Sequence, residues 1–276
     1  MLNFLARALI LLFLAEASRL VAAVHLIIAP ALDDPRIARS CHADTERVRS
    51  LITHVCDSLA IELRLQVLGY QSFDSQVLER TIDELQVGGD DVVLFYYTGH
   101  GYNLTGEQEL PTLALHGQHI ELQRIQEKLE SKRPRLCLII VDCCNSYLPG
   151  ELQALISPPR SIGLGSVIRA GVNNNYQHLI QESEGLYVIC GASQGEYAFC
   201  TDRGGVFTNA FVDVFNSECM AAGSTSWHSI IDDAGVLTQA RLSTLHPLTH
   251  LEEHEALLQH PFYYYISLRS DLEEAS

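Results

Sequence analysis

The sequence predicts an α/β fold in which a mainly parallel central sheet is flanked by helices, giving three layers. Two observations support this fold class. Short apolar, β-branched runs alternate with stretches of helical periodicity, an order that is typical of parallel sheets. The runs also lack polar alternation, as expected for strands covered on both faces. With 276 residues, 47% of them hydrophobic, the chain can bury one large core. We therefore predict a single domain over residues 24–276.

Five apolar runs, each of five or six residues, are predicted to form the strands of the sheet. A sixth run near the end of the chain is predicted as a late edge strand. The five runs are residues 24–29, 63–68, 92–97, 136–141 and 186–190, and the late one is 262–268.

Helices are predicted where apolar residues recur with a period near 3.6, as they do over 44–59, where Val48, Leu51 and Val55 share one face. The other predicted helices are 77–85, 120–129, 206–215 and 230–242. Segment 148–184 is rich in Pro, Gly and Asn, which predicts a long surface loop. Loops of this length are often functional or open to proteolysis.

Residues 1–23 have the features of a signal peptide. Arg7 lies in a short leader, residues 8–15 are apolar, and 21–23 offer small residues for cleavage. Charged residues interrupt the apolar stretch before it reaches the roughly 20 residues that span a bilayer. We expect a secreted or periplasmic protein with no stable membrane span, and an uncleaved anchor is the alternative.

Composition argues against several classes of partner. The chain has 18 basic and 34 acidic residues, a formal net charge of -16, and no Lys/Arg cluster that could bind phosphates. Nucleic acid is therefore not expected as a partner. The Cys and His spacing does not match a zinc site, so no metal or other cofactor is expected. Cys137 and Cys190 lie within apolar runs, which predicts buried side chains.

Two predicted neighbouring strands end in residues that can do chemistry. The run DDVVLFYY leads into Thr98-Gly99-His100-Gly101, and LCLIIV leads into Asp142-Cys143-Cys144. Ligands bind outside the carboxyl ends of parallel strands. An imidazole there can transfer a proton near neutral pH and favours a neighbouring thiolate. The pattern predicts a Cys–His dyad, with the N–H groups of Gly101 and Cys144 as an oxyanion hole.

The runs YYTGHG and DCCNS resemble the His and Cys motifs of the caspase and metacaspase superfamily. VHLIIAP resembles the first strand of that fold. SCHADTERVRSLI resembles a segment of the superfamily in which a Cys and an Asp precede the first helix. ICGASQGEYAF and GGVFTNAF resemble the strand and the helix that complete its sheet. The resemblance covers about residues 24–215. It implies the caspase-like fold, a cysteine peptidase (hydrolase) acting on polypeptides, His100 as general acid/base and Cys144 as nucleophile.

The same resemblance implies a substrate pocket formed by Asp142, Asp44, Cys41 and Thr98. Two carboxylates in such a pocket would select Arg or Lys before the scissile bond. Simpler roles are open: Asp142 could cap a turn, and Asp44 could be a helix N-cap. Glu196 lies where related bacterial sequences often carry an acid, and a structural role is equally open.

The sequence departs from the superfamily in two places. Asn145-Ser146-Tyr147 stands where His-Ser-Gly is common, which leaves the geometry of that loop open. After the His-Gly motif only Glu107 and Glu109 are acidic, so calcium dependence is not expected. Arg160 and Arg169, in the long loop, are candidate sites of self-cleavage.

The function predicted is a cysteine endopeptidase that cleaves after Arg or Lys through an acyl-enzyme. Two alternatives remain open at this point. One is a related cysteine peptidase of different specificity, such as a legumain-like or gingipain-like protein. The other is a catalytically silent interaction module that keeps the caspase-like fold.

Overall fold

The computed structural model describes residues 23–69, 73–104, 108–147, 174–245 and 258–268. Their centre is a six-stranded sheet in the order β11-β8-β7-β3-β1-β2. The strands are β1 (Ala23–Pro30), β2 (Glu62–Val67), β3 (Val92–Thr98), β7 (Leu136–Asp142), β8 (Gly185–Cys190) and β11 (Phe262–Ile266). All pair in parallel except β11, which runs antiparallel to β8. The predicted α/β class with a mainly parallel sheet is confirmed.

Helices cover both faces of this sheet because its strands carry apolar side chains on both. One face packs on α1 (Ala38–Leu59), α5 (Val206–Met220), α6 (Trp227–Leu245) and α4, a helical turn at Asn174–Gln177 that continues as a π-helical turn at His178–Glu182. The other face packs on α2 (Ser75–Glu84) and α3 (Leu122–Ser131). The two sides meet different residues of each strand, as the twofold alternation of a strand requires.

Two small sheets lie beside the main one, and the sequence did not predict either. The first is formed by β4 (Gly101–Tyr102), β5 (Thr112–Leu115) and β6 (Gln118–Glu121). The second is a hairpin of β9 (Cys200–Thr201) and β10 (Gly204–Gly205). Their strands are too short to show a hydrophobic period.

Three predictions about these elements are wrong. Strand β2 is not buried on both faces: it is the edge strand, and its residue Leu65 is 38% exposed. Helix α1 begins six residues before the predicted start, so Cys41 and Asp44 lie within it and not before it. The cap position is Ile37, which excludes an N-cap role for Asp44. The end of the predicted loop is helical from Asn174.

Residues 1–22 of the predicted signal peptide lie outside the described residues, and Ala23 is the first residue of β1. Within the described ranges, no helix is long and apolar enough to span a membrane. Cys137 and Cys190 are buried as predicted. All eight cysteines of the chain are described, and each is buried and outside any disulfide.

Candidate active site

The two predicted catalytic loops follow adjacent parallel strands. Thr98 and Asp142 are the last residues of β3 and β7, and they pair with each other in the register of the sheet. His100 and Cys144 each follow two residues later. Both residues therefore lie at the carboxyl edge of the sheet, where ligands of open α/β folds bind.

Cys144 is held by the segment that follows β8. Its side chain is 2% exposed and packs against Ala192 and Ala198. The N–H of Ala198 donates to Sγ at 3.3 Å, and the Sγ–H group lies 3.8 Å from the carbonyl oxygen of Ala198. The Cys144 side chain is thus positioned by the backbone N–H and carbonyl groups of Ala198.

Cys143 has a different environment from its neighbour. Its side chain joins the core on the α2 and α3 side of the sheet, together with Tyr97 and Val141. Burial raises the pKa of the Cys143 thiol well above its usual value. The interior position disfavours the thiolate that nucleophilic attack requires.

His100 is oriented by a residue that the sequence analysis missed. Its Nε2 atom lies 2.7 Å from Oδ2 of Asp34, in the loop between β1 and α1. Its Nδ1 atom is buried and has no hydrogen-bond partner, so no such bond joins it to Cys144 Sγ. A signal for Asp34 was present in the sequence. β1 ends beside Thr98, so the Asp33-Asp34 pair that follows it had to reach the same edge.

Gly101 lies directly against the nucleophile loop. A Cβ atom at this position would come within 2.6 Å of both the Cys144 carbonyl oxygen and Cys143 Sγ. Only glycine permits this close approach. The contact brings together Gly101 and Cys144, the residues predicted to form the oxyanion hole.

The two predicted pocket carboxylates are both buried. Asp44 is 0% exposed, and its oxygens accept hydrogen bonds from the N–H of Gly205 at 3.0 and 2.9 Å and from Thr98 Oγ1 at 3.0 Å. Asp142 is 5% exposed, and its Oδ2 accepts bonds from the N–H and hydroxyl of Thr208 at 2.9 and 2.6 Å. Asp142 therefore does more than cap the turn after its strand.

The surroundings of this pair oppose its ionisation. Burial raises the pKa of Asp44, and the nearby Asp142 carboxylate raises it further. Burial also raises the pKa of Asp142, although the Thr208 hydrogen bonds partly offset this. Arg47 is a weak counterion, because its Nη1 lies 4.0 Å from Asp44 Oδ1. A further cation would relieve the repulsion between the two carboxylates.

A small cavity adjoins these groups. Its volume is about 10 Å³, enough for one water-sized molecule, and Cys41, Thr98 and Asp142 are among its lining residues. Phe199, Cys200 and Gly205 line its other side. Burial raises the pKa of the Cys41 thiol, as does the neighbouring Asp44. Three of the four predicted pocket residues thus line this cavity, while Asp44 does not line it and is joined to it through its hydrogen bonds with Thr98 and Gly205. As it stands, the space is too small for an Arg side chain.

The hairpin β9–β10 forms part of the wall of this cavity, through Cys200 and Gly205. A Cβ atom on Gly204 would come within 2.1 Å of Asp44 Oδ1, and one on Gly205 within 2.1 Å of Asp142 Oδ2. GGVFTNAF was predicted only as the start of a helix, but its two glycines also lie against the predicted pocket carboxylates.

Glu196 has a structural position. Its carboxylate accepts hydrogen bonds from His260, through the backbone N–H and Nδ1, and lies 3.3 Å from the N–H of Ser193. Its carbonyl oxygen accepts the N–H of Asn145 at 3.0 Å. Glu196 therefore ties the residues before β11 to the nucleophile loop.

Asn145, where the sequence departs from the superfamily, is fully buried. Its Oδ1 accepts a hydrogen bond from Asn103 Nδ2 at 3.0 Å, and its Nδ2 donates to the Glu109 carbonyl oxygen at 2.8 Å. This amide connects the His100 and Cys144 loops.

Other predicted residues lie elsewhere. Arg160 and Arg169, the candidate self-cleavage sites, are outside the described residues, as is Glu107. In the part of the chain that the structure describes, no group of three or more His, Cys, Asp or Glu side chains is arranged to hold a metal ion.

Comparison with known proteins gives the family. Residues 38–235 match the model of the peptidase C14 caspase domain. A solved structure, caspase-1 from Spodoptera frugiperda, has the same fold, with a TM-score of 0.54, 12% sequence identity and coverage of 90% of each chain. A search of curated proteins finds no match. The family model covers more than half of the chain, so the protein belongs to the caspase-domain family and is a cysteine peptidase with a caspase-like fold.

Proposed function

We propose that this peptidase cleaves polypeptides after Arg or Lys, with Cys144 as nucleophile and His100 as general acid/base. The observation that carries the specificity is the pair of buried carboxylates, Asp44 and Asp142, beside the nucleophile loop. Their pKa values are raised by burial, and for Asp44 also by the second carboxylate, and Arg47, 4.0 Å from Asp44 Oδ1, is only a partial counterion. A guanidinium or ammonium group from the substrate would supply a closer cation.

The proposed reaction needs only groups at this edge of the sheet. The Cys144 thiol passes its proton to His100, and the thiolate forms a bond to the scissile carbonyl carbon. The N–H groups of Gly101 and Cys144 donate to the resulting oxyanion. His100 gives the proton to the leaving amine as the C–N bond breaks. Water then hydrolyses the thioester, with His100 accepting its proton and returning it to the thiol.

Entry of the substrate side chain would require the β9–β10 hairpin to move. A space of about 10 Å³ does not admit an Arg side chain, so the β9–β10 hairpin would have to shift. That shift would break the bonds from Gly205 to Asp44, and the substrate cation would take their place. Substrate binding would therefore replace the hydrogen bonds that Gly205 donates to Asp44 with hydrogen bonds from the substrate cation.

A peptide panel tests the nucleophile and the specificity together. Fluorogenic peptides with Arg, Lys, Asp or Asn before the scissile bond are compared in wild type, Cys144→Ala, Cys143→Ala and His100→Ala. We expect cleavage after Arg and Lys that is lost in Cys144→Ala and His100→Ala and kept in Cys143→Ala. Labelling by a peptidyl-Arg chloromethyl ketone should map to Cys144. Loss of label in Cys143→Ala alone would overturn the choice of nucleophile.

The pocket needs a separate comparison. Asp142→Asn and Asp44→Asn should each lower kcat/KM for Arg and Lys peptides. The matched control is Asp90→Asn, which makes the same change at an exposed turn. Cleavage only after Asp or Asn would refute the basic specificity and leave the cysteine peptidase assignment intact.

We also propose that the enzyme is exported, needs no calcium and matures by cleavage at Arg160 or Arg169. The support is in the sequence: the apolar leader, the few acidic residues after His100 and the Pro- and Gly-rich segment around the two arginines. Activity should be unchanged by a calcium chelator. N-terminal sequencing of the secreted protein locates the processed end. Normal maturation of an Arg160/Arg169 double variant would refute self-processing.

A further inference from the structure

Asp34 contacts the imidazole of the proposed catalytic histidine. Its Oδ2 lies 2.7 Å from His100 Nε2, and both side chains are only 17% exposed. The two sequence motifs predict a Cys–His dyad and no third residue that orients the histidine ring. The carboxylate comes from the loop before α1, which neither catalytic motif includes.

Arg36 holds this carboxylate in place. Its N–H and Nε donate to Oδ1 of Asp34 at 2.8 and 3.1 Å, and its Nη2 donates to Oδ2 at 2.8 Å. The carbonyl oxygen of Asp34 accepts the N–H of Ala38 at 2.8 Å, where α1 begins. The Arg36 hydrogen bonds, chiefly those of its side chain, hold the pKa of Asp34 well below its usual value. Asp34 is therefore an anion at neutral pH.

An ionised carboxylate can only accept hydrogen bonds, so the proton of a neutral His100 ring must be on Nε2. Nδ1 is then the basic nitrogen. It is buried and without a hydrogen-bond partner, as expected of an atom reserved for a transient proton. The His100 backbone is fixed as well, because Tyr97 Oη and the Ala114 N–H both donate to its carbonyl oxygen.

We propose that Asp34 is a positioning residue that makes the site a Cys144–His100–Asp34 triad. It fixes the Nε2–H tautomer and stabilises the imidazolium that forms when Nδ1 takes the Cys144 proton. Nδ1 later gives this proton to the leaving amine, and Asp34 remains a carboxylate throughout. The role rests on the proposed function of His100 and Cys144.

The structure offers a matched pair of variants. Asp34→Asn removes the charge and retains the shape, and its amide would donate to Nε2 and so favour the wrong tautomer. Asp33→Asn makes the same change at the adjacent residue, whose exposed carboxylate binds His116 Nδ1 at 3.0 Å. We expect Asp34→Asn to lower kcat by about 10- to 10⁴-fold, with KM changed much less. Asp33→Asn should have wild-type kinetics, and Asp34→Glu should recover part of the loss.

The ring tautomer is a second readout that needs no turnover. Nitrogen-15 NMR of the imidazoles, with His100 assigned by comparison with His100→Gln, should show Nε2–H in wild type and in Cys144→Ala. Protonated Nδ1 in the neutral wild-type ring would overturn the triad, as would equal kcat values for Asp34→Asn and Asp33→Asn. If Cys144→Ala keeps full peptidase activity, the proposed function fails, while the NMR result still decides the role of Asp34.

Discussion

Nδ2 of Asn103 donates a hydrogen bond to Oδ1 of Asn145 at 3.0 Å, and this bond joins the loop after His100 to the loop that contains Cys144. Both asparagines are buried, at 1% and 0% exposure. The two proposed catalytic residues are therefore positioned by a polar contact between their loops as well as by the pairing of their strands.

Asn145→Ala should destabilise the protein and impair catalysis. The substitution leaves the Glu109 carbonyl oxygen without its donor and frees Asn103 from the loop, at a cost of about 1–3 kcal/mol. Displacing Cys144 by about 1 Å can lower kcat by about 10²-fold. Urea unfolding and kcat/KM measure the two effects. Gln123→Ala, which removes an exposed amide, is the control and should change neither.

Gly101→Ala should abolish most activity. The added methyl would overlap the carbonyl oxygen of Cys144 and Sγ of Cys143, and a backbone oxygen can yield only if its loop moves. Gly89→Ala is a fair comparison, because nothing lies within 4 Å of its added methyl. We expect at least about a 10²-fold loss of kcat/KM for Gly101→Ala. Equal kinetics in the two variants would contradict the contact between Gly101 and the nucleophile loop.

Gln259→Ala should disturb the segment that holds the thiol. This residue is fully buried, its Oε1 accepts the Phe199 N–H at 2.9 Å, and its Nε2 donates to the Gly191 carbonyl oxygen at 2.9 Å. Two unpaired backbone groups should cost about 2–5 kcal/mol. Because Phe199 adjoins Ala198, alkylation of Cys144 by iodoacetamide should also change rate. Leu258→Ala, at a half-exposed neighbour, should alter neither stability nor alkylation.

Stability should fall as pH rises from about 4, the ordinary pKa of an Asp, to about 8, the raised pKa of Asp44, because Asp44 and Asp142 are harder to ionise in the folded protein. Their folded-state pKa values are raised, so the contribution is present below the unfolded pKa and lost as pH rises through the folded values. Asp34, with its lowered pKa, acts only at lower pH. In Asp44→Asn the change in Tm across this range should shrink by about 2–4 °C. Asp90→Asn serves as the reference, and an unchanged pH dependence in Asp44→Asn would refute the assignment.

Much of the fold could be predicted because the main strands are long and apolar. Their runs at β1, β3, β7 and β8 match the structure to within a residue or so, and their order along the chain requires a parallel sheet. Strand β2 was wrongly predicted to be buried on both faces. Leu63 and Val67 pack on the core, but Leu65 is exposed at the edge of the sheet. Periodicity does not show which strand of a sheet is outermost.

The site was predictable only where a motif follows a strand. His100, Cys144 and Asp142 could be located in this way, since each lies within two residues of a strand end. Asp34 could be placed at the same edge from the end of β1, but its contact with His100 could not be predicted. Nor could the contacts of Asn103 and Gly205, because the three contacts span 66, 42 and 161 residues of sequence. Such contacts arise from tertiary packing and have no local sequence signal.

The two glycines of the β9–β10 hairpin limit how the specificity of this peptidase could be redesigned. At Gly204 and Gly205 the main chain itself approaches the two carboxylates of the proposed substrate pocket, so neither position can carry a side chain that contacts the substrate. A library that varies them would return mostly misfolded proteins. Cys41 and Thr98 also line the cavity, but both are buried and Thr98 donates to Asp44, so a new side chain at either position would also have to displace its neighbours.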